Sequence, residues 1–358
     1  MDIDFDEIIL VTNQGYNTGI GRAAMETYRI LKPTIKNLKL YSINYFKDYI
    51  IGNSISLSTR YAKSMFSVPI INRINVKNVK KIGILKNKNL HIIGSDYSIY
   101  SESDNVIMTV HEFYYENRIF KSHSFEGFLK DMAYNYGEFK LKRYTKHAKA
   151  IITPSQISAE QIIKGLDVTP YIIPFSVDKT VYHPRNKKNV RERLNLPQNK
   201  NILINVSGSG INKNLNTLEK IADLLPDNYL LLKINSPINS NNVVNLGYVN
   251  SKDYPLYLSA SDIYIHTSIN EGFGFPLVEA MSTGLPVVSN NLSTAEEILG
   301  KEIPHVTHPY DYKEYLSLVE FFLNDYASWS EISLKRSNNF SDENLKNKII
   351  DVYKKCFD

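Results

Sequence analysis

Short apolar runs recur along the chain, and each leads into a stretch with helical spacing. Ile8-Ile9-Leu10-Val11-Thr12 is the first. After a loop and Gly19-Ile20-Gly21-Arg22, residues 23–31 have helical spacing and close before Pro33. Residues 38–43, 90–93, 106–110, 150–153 and 171–174 repeat the strand pattern, with long charged helical stretches at 125–147 and from 158. The runs are apolar at successive positions, so both faces of each strand are covered, as in a parallel sheet. A charged segment with three prolines, Pro174, Pro184 and Pro197, then interrupts the rhythm.

The rhythm restarts at 201–206, with further strands at 229–234, 243–246, 263–265 and 286–288. Helices are predicted at 214–225, 254–260, 276–283 and 295–299, and an amphipathic one at 342–355. The pattern predicts two doubly wound Rossmann-like α/β domains, residues 1–175 and 176–340, with an interdomain cleft at the carboxyl ends of the sheets. The C-terminal helix, 341–358, is expected to pack back on the N-terminal domain.

The length, 358 residues, suits two domains. Apolar residues make up 43% and charged residues 22%, which excludes a disordered chain, a collagen and a disulfide scaffold. Cys356 is the single cysteine, so neither an internal disulfide nor a cysteine metal cluster can form. No apolar run reaches the roughly 18–20 residues of a membrane span. The acidic start, Met1-Asp2-Ile3-Asp4-Phe5-Asp6-Glu7, is unlike a signal peptide. A cytoplasmic protein is expected.

Charge divides unevenly. Residues 1–175 hold 23 Lys/Arg against 16 Asp/Glu, whereas residues 176–358 hold 19 against 21. The basic half includes Lys77, Lys80, Lys81, Lys86, Lys88, Lys140, Lys142, Arg143, Lys146 and Lys149. These are either solvated helix and loop faces or a surface for an anionic acceptor or anionic membrane at the inner face. Nucleic-acid motifs are absent.

The most informative stretch is Glu271-Gly272-Phe273-Gly274-Phe275-Pro276-Leu277-Val278-Glu279-Ala280-Met281. Pro276 suits a first helical turn, and Glu279 is expected within that turn. Backbone amides of this glycine loop suit phosphate, and the flanking carboxylates suit hydroxyl groups. A sugar nucleotide carries both.

That run, continued by Gly284-Leu285-Pro286-Val287-Val288-Ser289, resembles the signature of retaining glycosyltransferases of family 4, which have the GT-B fold. Val110-His111-Glu112 resembles the family's His-Asp motif, with Glu in place of Asp. Residues 172–178 with Tyr182-His183-Pro184 resemble its linker, and Asn245-Leu246-Gly247-Tyr248-Val249 and Ser259-Ala260-Ser261-Asp262 resemble later landmarks.

The resemblance implies roles. Glu271 would contact the transferred sugar beside Gly272, Phe273 and Gly274, and His111 would reach the sugar near the reacting carbon. Phe275 to Leu277 would offer amides to the diphosphate, Lys213 would neutralise it, and Glu279 would hold ribose hydroxyls. Tyr248 and Val249 would border the base. Gly19 and Gly21 would let backbone approach the diphosphate. The implied activity is metal-independent transfer of a mannose- or glucose-type hexose from a UDP- or GDP-sugar to a glycan, lipid-linked or polysaccharide acceptor, with no cofactor. The family's arginine before the lysine is missing from Ser207-Gly208-Ser209-Gly210-Ile211-Asn212-Lys213, unless Arg22 or another residue replaces it.

Asp2, Asp4 and Asp6 precede the first strand, at the wrong sheet end for a metal site. Gly19-x-Gly21-x-x-Ala24 lacks the acid that nicotinamide binding expects about 20 residues on. His266, beside the Glu271 loop, reads as a packing or internally hydrogen-bonded residue. A sugar-nucleotide epimerase and a non-catalytic sugar-nucleotide binder are the alternatives.

Overall fold

A computed structural model describes residues 5–12, 18–42, 85–94, 103–111, 139 and 141–358. The chain divides into two compact units, Met1–Phe175 with Leu345–Asp358, and Ser176–Asn344. Each is a parallel α/β layer structure, as the alternation of apolar runs and helical stretches predicts.

The first unit is built on β1 (Ile8–Thr12), β2 (Leu38–Ser42), β3 (Asn89–Ile93), β4 (Val106–Thr109), β5 (Ala150–Thr153) and β6 (Tyr171–Ile172). Their order is β2-β1-β3-β4-β5-β6, and every neighbouring pair is parallel. The first helix, α1 (Gly19–Leu31), starts four residues before the predicted Ala23. Its N-cap is Thr18, whose hydroxyl accepts from the Gly21 amide at 3.1 Å, so the glycines lie inside the helix. Helix α2 (Gln156–Leu166) is capped by Ser155 and closed by Asp167 in the left-handed region, φ 56°. Of the stretch predicted helical at 125–147, residues 141–145 are helical and most of the rest lies outside the described residues.

The second unit contains α3 (Lys187–Arg193), β7 (Asn201–Ser207), α4 (Leu215–Asp223), β8 (Tyr229–Asn235) and β9 (Val243–Gly247). It continues with α5 (Tyr254–Ala260), β10 (Ile263–His266), α6 (Phe275–Ser282), β11 (Val287–Ser289) and α7 (Ser293–Leu299). Its sheet order is β11-β10-β7-β8-β9, again parallel throughout. Asp262 ties the amino end of this sheet together. One carboxylate oxygen accepts from Lys187 at 2.6 Å, and the other accepts from Arg191 and the Ile202 amide, both at 2.6 Å. Arg191 also donates to the Ala260 and Lys200 carbonyls, so a buried guanidinium has partners on three segments.

Two helices, α8 (Tyr312–Asn324) and α9 (Tyr326–Ser337), were not predicted. Helix α9 buries only Ser333 and Ser337, small polar residues that leave no apolar stripe to read. The last helix, α10 (Asp342–Phe357), leaves the second unit, and its residues from Leu345 onward belong to the first. Tyr353 of α10 is fully buried there.

His91 on β3 is the polar centre of the first unit's core. Its Nδ1 lies 2.7 Å from the Tyr353 hydroxyl and its Nε2 2.7 Å from Thr109 Oγ1. Burial, then the nearby His111, pushes its pKa down from 6.5 to about 3. The unfolded chain therefore takes up a proton near pH 6.5 that the native state refuses until about pH 3. Stability is lost as pH falls through that window, at up to about 1.4 kcal/mol per pH unit for one histidine. Thermal unfolding from pH 7 to pH 4 should show a steeper fall for the wild type than for His91→Gln; parallel curves would reject this role for His91.

Candidate active site at the reversal of the second sheet

The second sheet grows from β7 outward through β8 to β9, then reverses to place β10 and β11 on the other side. Loops leaving the carboxyl ends of β7 and β10 diverge to opposite faces, which opens a crevice between them. Residues 208–214 and 267–274 form these two loops.

Four contacts stitch the loops together. The Ile269 amide donates to the Asn212 carbonyl at 2.8 Å, and Asn212 Nδ2 donates to the Asn270 carbonyl at 3.1 Å. The Thr267 hydroxyl donates to the Lys213 carbonyl at 2.9 Å. Lys213 Nζ then meets Glu271 Oε1 at 2.5 Å, with both side chains partly open to solvent. From the far side, the Thr294 hydroxyl of α7 holds the Glu271 carbonyl at 2.8 Å. Lys213 ends a single 3-10 turn, and Asn214, at φ 52°, turns the chain into α4.

Past Glu271, the backbone reaches Gly274 at φ 88°, where a side chain would be strained and its Cβ would stand 3.0 Å from Leu277 Cδ1. Helix α6 begins there without a side-chain cap. Pro276 has no N–H, and the Leu277 amide donates to the Gly274 carbonyl at 3.0 Å. The expected amide cradle therefore narrows at Leu277, whose N–H is already engaged by the turn. The amides of Gly272 and Gly274 make no hydrogen bond among the described residues. The side chains of Phe273, Phe275 and Leu277 are buried, and Phe273 packs edge-on against Phe275 and Phe340. Any ligand contact from these three runs through backbone.

Glu279 is fully buried and is the fifth residue of α6, so it lies in the second turn rather than the first. Its Oε2 accepts from the Tyr254 hydroxyl of α5 at 2.8 Å. Burial and the neighbouring Glu279 push the Tyr254 phenol well above its ordinary pKa, and burial with Glu271 and Glu279 does the same to Tyr264. Both phenols stay protonated and serve as donors.

The remaining predicted residues stand elsewhere. Tyr248 is 71% exposed, and it and Val249 follow β9 at the far edge of the same sheet. Gly19 is exposed at the start of α1, whereas Gly21 is buried and its amide donates to the Thr18 cap. His111 follows β4 in the first unit, and Glu112 lies outside the described residues. The His111 ring stacks on Phe175 at 5.0 Å, and its carbonyl accepts from the Ser158 hydroxyl at 3.2 Å. As a residue His111 is half-buried, and its Nε2 is buried with no hydrogen-bond partner among the described residues. Burial pushes its pKa down to about 3.

Residues 229–344 match the family model described as Glycosyl transferases group 1. Sucrose-phosphate synthase from Thermosynechococcus elongatus superposes with a TM-score of 0.81 at 15% identity, covering 98% of this chain and 99% of that one. The fold is GT-B. A second GT-B neighbour, Anabaena HepE in complex with UDP and glucose, has a TM-score of 0.72 at 15% identity, covering 97% and 99% of the two chains. In sequence, O-antigen chain mannosyltransferase B of Escherichia coli is 36% identical over 113 residues, 30% of this chain and 29% of that relative. The matches span less than two thirds of the first curated relatives, from 29% to 60% of their length for three of them.

Three further residues, Tyr254, Lys233 and His266, support these loops and side chains. Lys233 is fully buried in β8 and donates to the Ser207 carbonyl at 2.7 Å and the Ile234 carbonyl at 2.9 Å. It thereby fixes the end of β7 where the Lys213 loop begins, and burial pulls its pKa down to about 8. A lysine inside the apolar run 230–234 was its only signal. His266, at the end of β10, is the third.

Tyr254→Phe should cost about 2 kcal/mol of stability, the worth of a hydrogen bond to a buried carboxylate. Urea unfolding of the two proteins measures this, and an unchanged midpoint would show that Glu279 does not depend on Tyr254.

Proposed function

We propose that the chain is a retaining glycosyltransferase of the family 4 type. It moves a hexose from a nucleoside-diphosphate sugar, UDP- or GDP-linked, to a hydroxyl of a glycan, lipid-linked or polysaccharide acceptor, without a metal ion. The observation that carries this reading is the Lys213–Glu271 pair, set at the sheet reversal beside the Gly272–Gly274 turn. An ammonium and a carboxylate side by side match a ligand with phosphate at one end and hydroxyls at the other. The mannosyltransferase relatives favour a mannose-type sugar, while the HepE complex with UDP and glucose keeps a glucose-type sugar in view.

On this reading the ion pair opens when the donor arrives. Phosphate takes Lys213 and sugar hydroxyls take Glu271, so neither charge is left alone. Charge grows on the leaving diphosphate as the sugar–oxygen bond breaks, and Lys213 with the Gly272 and Gly274 amides is preorganised to stabilise it. The acceptor oxygen bonds to the anomeric carbon on the face the phosphate leaves, and the acceptor proton passes to a leaving-phosphate oxygen. The products are the glycoside and the nucleoside diphosphate. Glu279 holds ribose hydroxyls, with Tyr254 fixing its carboxylate. His111, which the resemblance assigns to the sugar near the reacting carbon, is held as a neutral imidazole by burial.

Among the described residues no helix is long and apolar enough to cross a membrane. Lys142, Arg143 and Lys146 stand in the basic half and suit an acceptor at an anionic membrane face. Lys88 is already drawn to Glu7 at 3.1 Å, and Lys77, Lys80, Lys81 and Lys140 lie outside the described residues.

Calorimetry with UDP, GDP, ADP and their sugar conjugates, with and without EDTA, tests the donor half of the proposal. One nucleotide should bind, EDTA should not change its affinity, and Lys213→Ala should weaken it by about 10–100-fold, the worth of a charge-assisted phosphate contact. Product released from the matching sugar donor should keep the donor's anomeric configuration by NMR. Binding without turnover would favour the non-catalytic binder, and a changed sugar without acceptor would favour the epimerase.

A further inference from the structure

His266 closes β10 at the reversal of the second sheet, one residue before the hydroxyl that ties Thr267 to the Lys213 carbonyl. Its side chain is buried, at 3% exposure, and stacks on Tyr264 at 6.4 Å. Its own carbonyl is satisfied by the Tyr315 hydroxyl at 3.2 Å. The ring nitrogen Nε2 is different. It is buried and makes no hydrogen bond among the described residues. A leucine or methionine would fill the same volume without an unmet polar group, so packing alone does not call for histidine here.

Burial, the larger cause, and Lys213 both lower the pKa of His266, outweighing Glu271, and hold the ring neutral with a pKa of about 4. A neutral imidazole in the field of a lysine offers an N–H donor without adding charge. Strand order separates this end of the site from the base end. Tyr248 follows β9, three places along the sheet from β10, with β7 and β8 between. His266 therefore stands at the phosphate–sugar end of a ligand laid along the carboxyl edge.

We propose that His266 is a donor-binding residue whose Nε2–H donates a hydrogen bond to the terminal phosphate of the bound nucleoside diphosphate, alongside Lys213. The assignment rests on the glycosyltransferase reading and supplies a phosphate contact beyond those the sequence pattern implies. It also gives the leaving group a second donor in a loop system that lacks the arginine expected before Lys213.

The test compares wild type, His266→Leu and His266→Gln by thermal unfolding without ligand and by calorimetry with UDP, GDP, ADP and the matching monophosphates. His266→Leu should unfold at the wild-type temperature or above, because it removes an unmet buried nitrogen. Its affinity for the preferred diphosphate should fall about 5-fold, the monophosphate should bind as before, and His266→Gln should recover most of the loss. Equal diphosphate binding by His266→Leu, or equal losses for mono- and diphosphate, would overturn the assignment. A lowered unfolding temperature with no recovery in His266→Gln would make the residue structural. Wild-type protein that binds no nucleoside diphosphate would remove the glycosyltransferase reading and this assignment together.

Discussion

The contact between Lys213 and Glu271 joins the two loops that leave opposite faces of the second sheet. Chain reversal at β7 and β10 opens a crevice, and an open crevice would let both loops drift. Hydrogen bonds from Ile269, Asn212 and Thr267 bring the loop backbones together, and the ion pair closes the join at its solvent end. The pair is half-buried, so the cost of desolvating both charges offsets much of their attraction. A contact balanced in this way can be exchanged for a ligand with little loss. The stronger supports lie deeper, in backbone pairing and in fully buried donors.

Behind the crevice runs a row of buried polar groups that an ordinary α/β core would not contain. Tyr254 donates to Glu279, Tyr264 lies in the field of both glutamates, and His266 lies in the field of Lys213 and Glu271. Lys233 holds the end of β7 with two carbonyl contacts. Each group costs desolvation that apolar residues would avoid. Their concentration at the carboxyl edge of one sheet, while the opposite edge is tied by the Asp262–Arg191 network, marks a division of labour within the unit. One edge is built for rigidity and the other for a polar ligand.

The first unit shows how far local signals reach and where they stop. Apolar runs placed β1 and β3–β5 nearly to the residue, because a strand buried on both faces has no other reading. The start of α1 was missed because two glycines look like a loop, whereas the Thr18 hydroxyl caps them into the helix. The same cap takes the Gly21 amide. In the second unit α9 went unread because what it buries is serine rather than leucine.

Fold class and the place of the Glu271 loop were written in the sequence itself. Periodicity is a local property, and a glycine-rich turn before a proline-started helix keeps its geometry wherever it is placed. What the tertiary structure alone decided was the company each side chain keeps. Lys213 and Glu271 are 58 residues apart, Tyr254 and Glu279 are 25 apart, and His266 has its neighbours chosen by strand order. Whether a buried carboxylate finds a donor, or an imidazole nitrogen finds none, depends on which strands lie side by side. No window of sequence contains that, because desolvation and hydrogen bonding act across the sheet rather than along the chain.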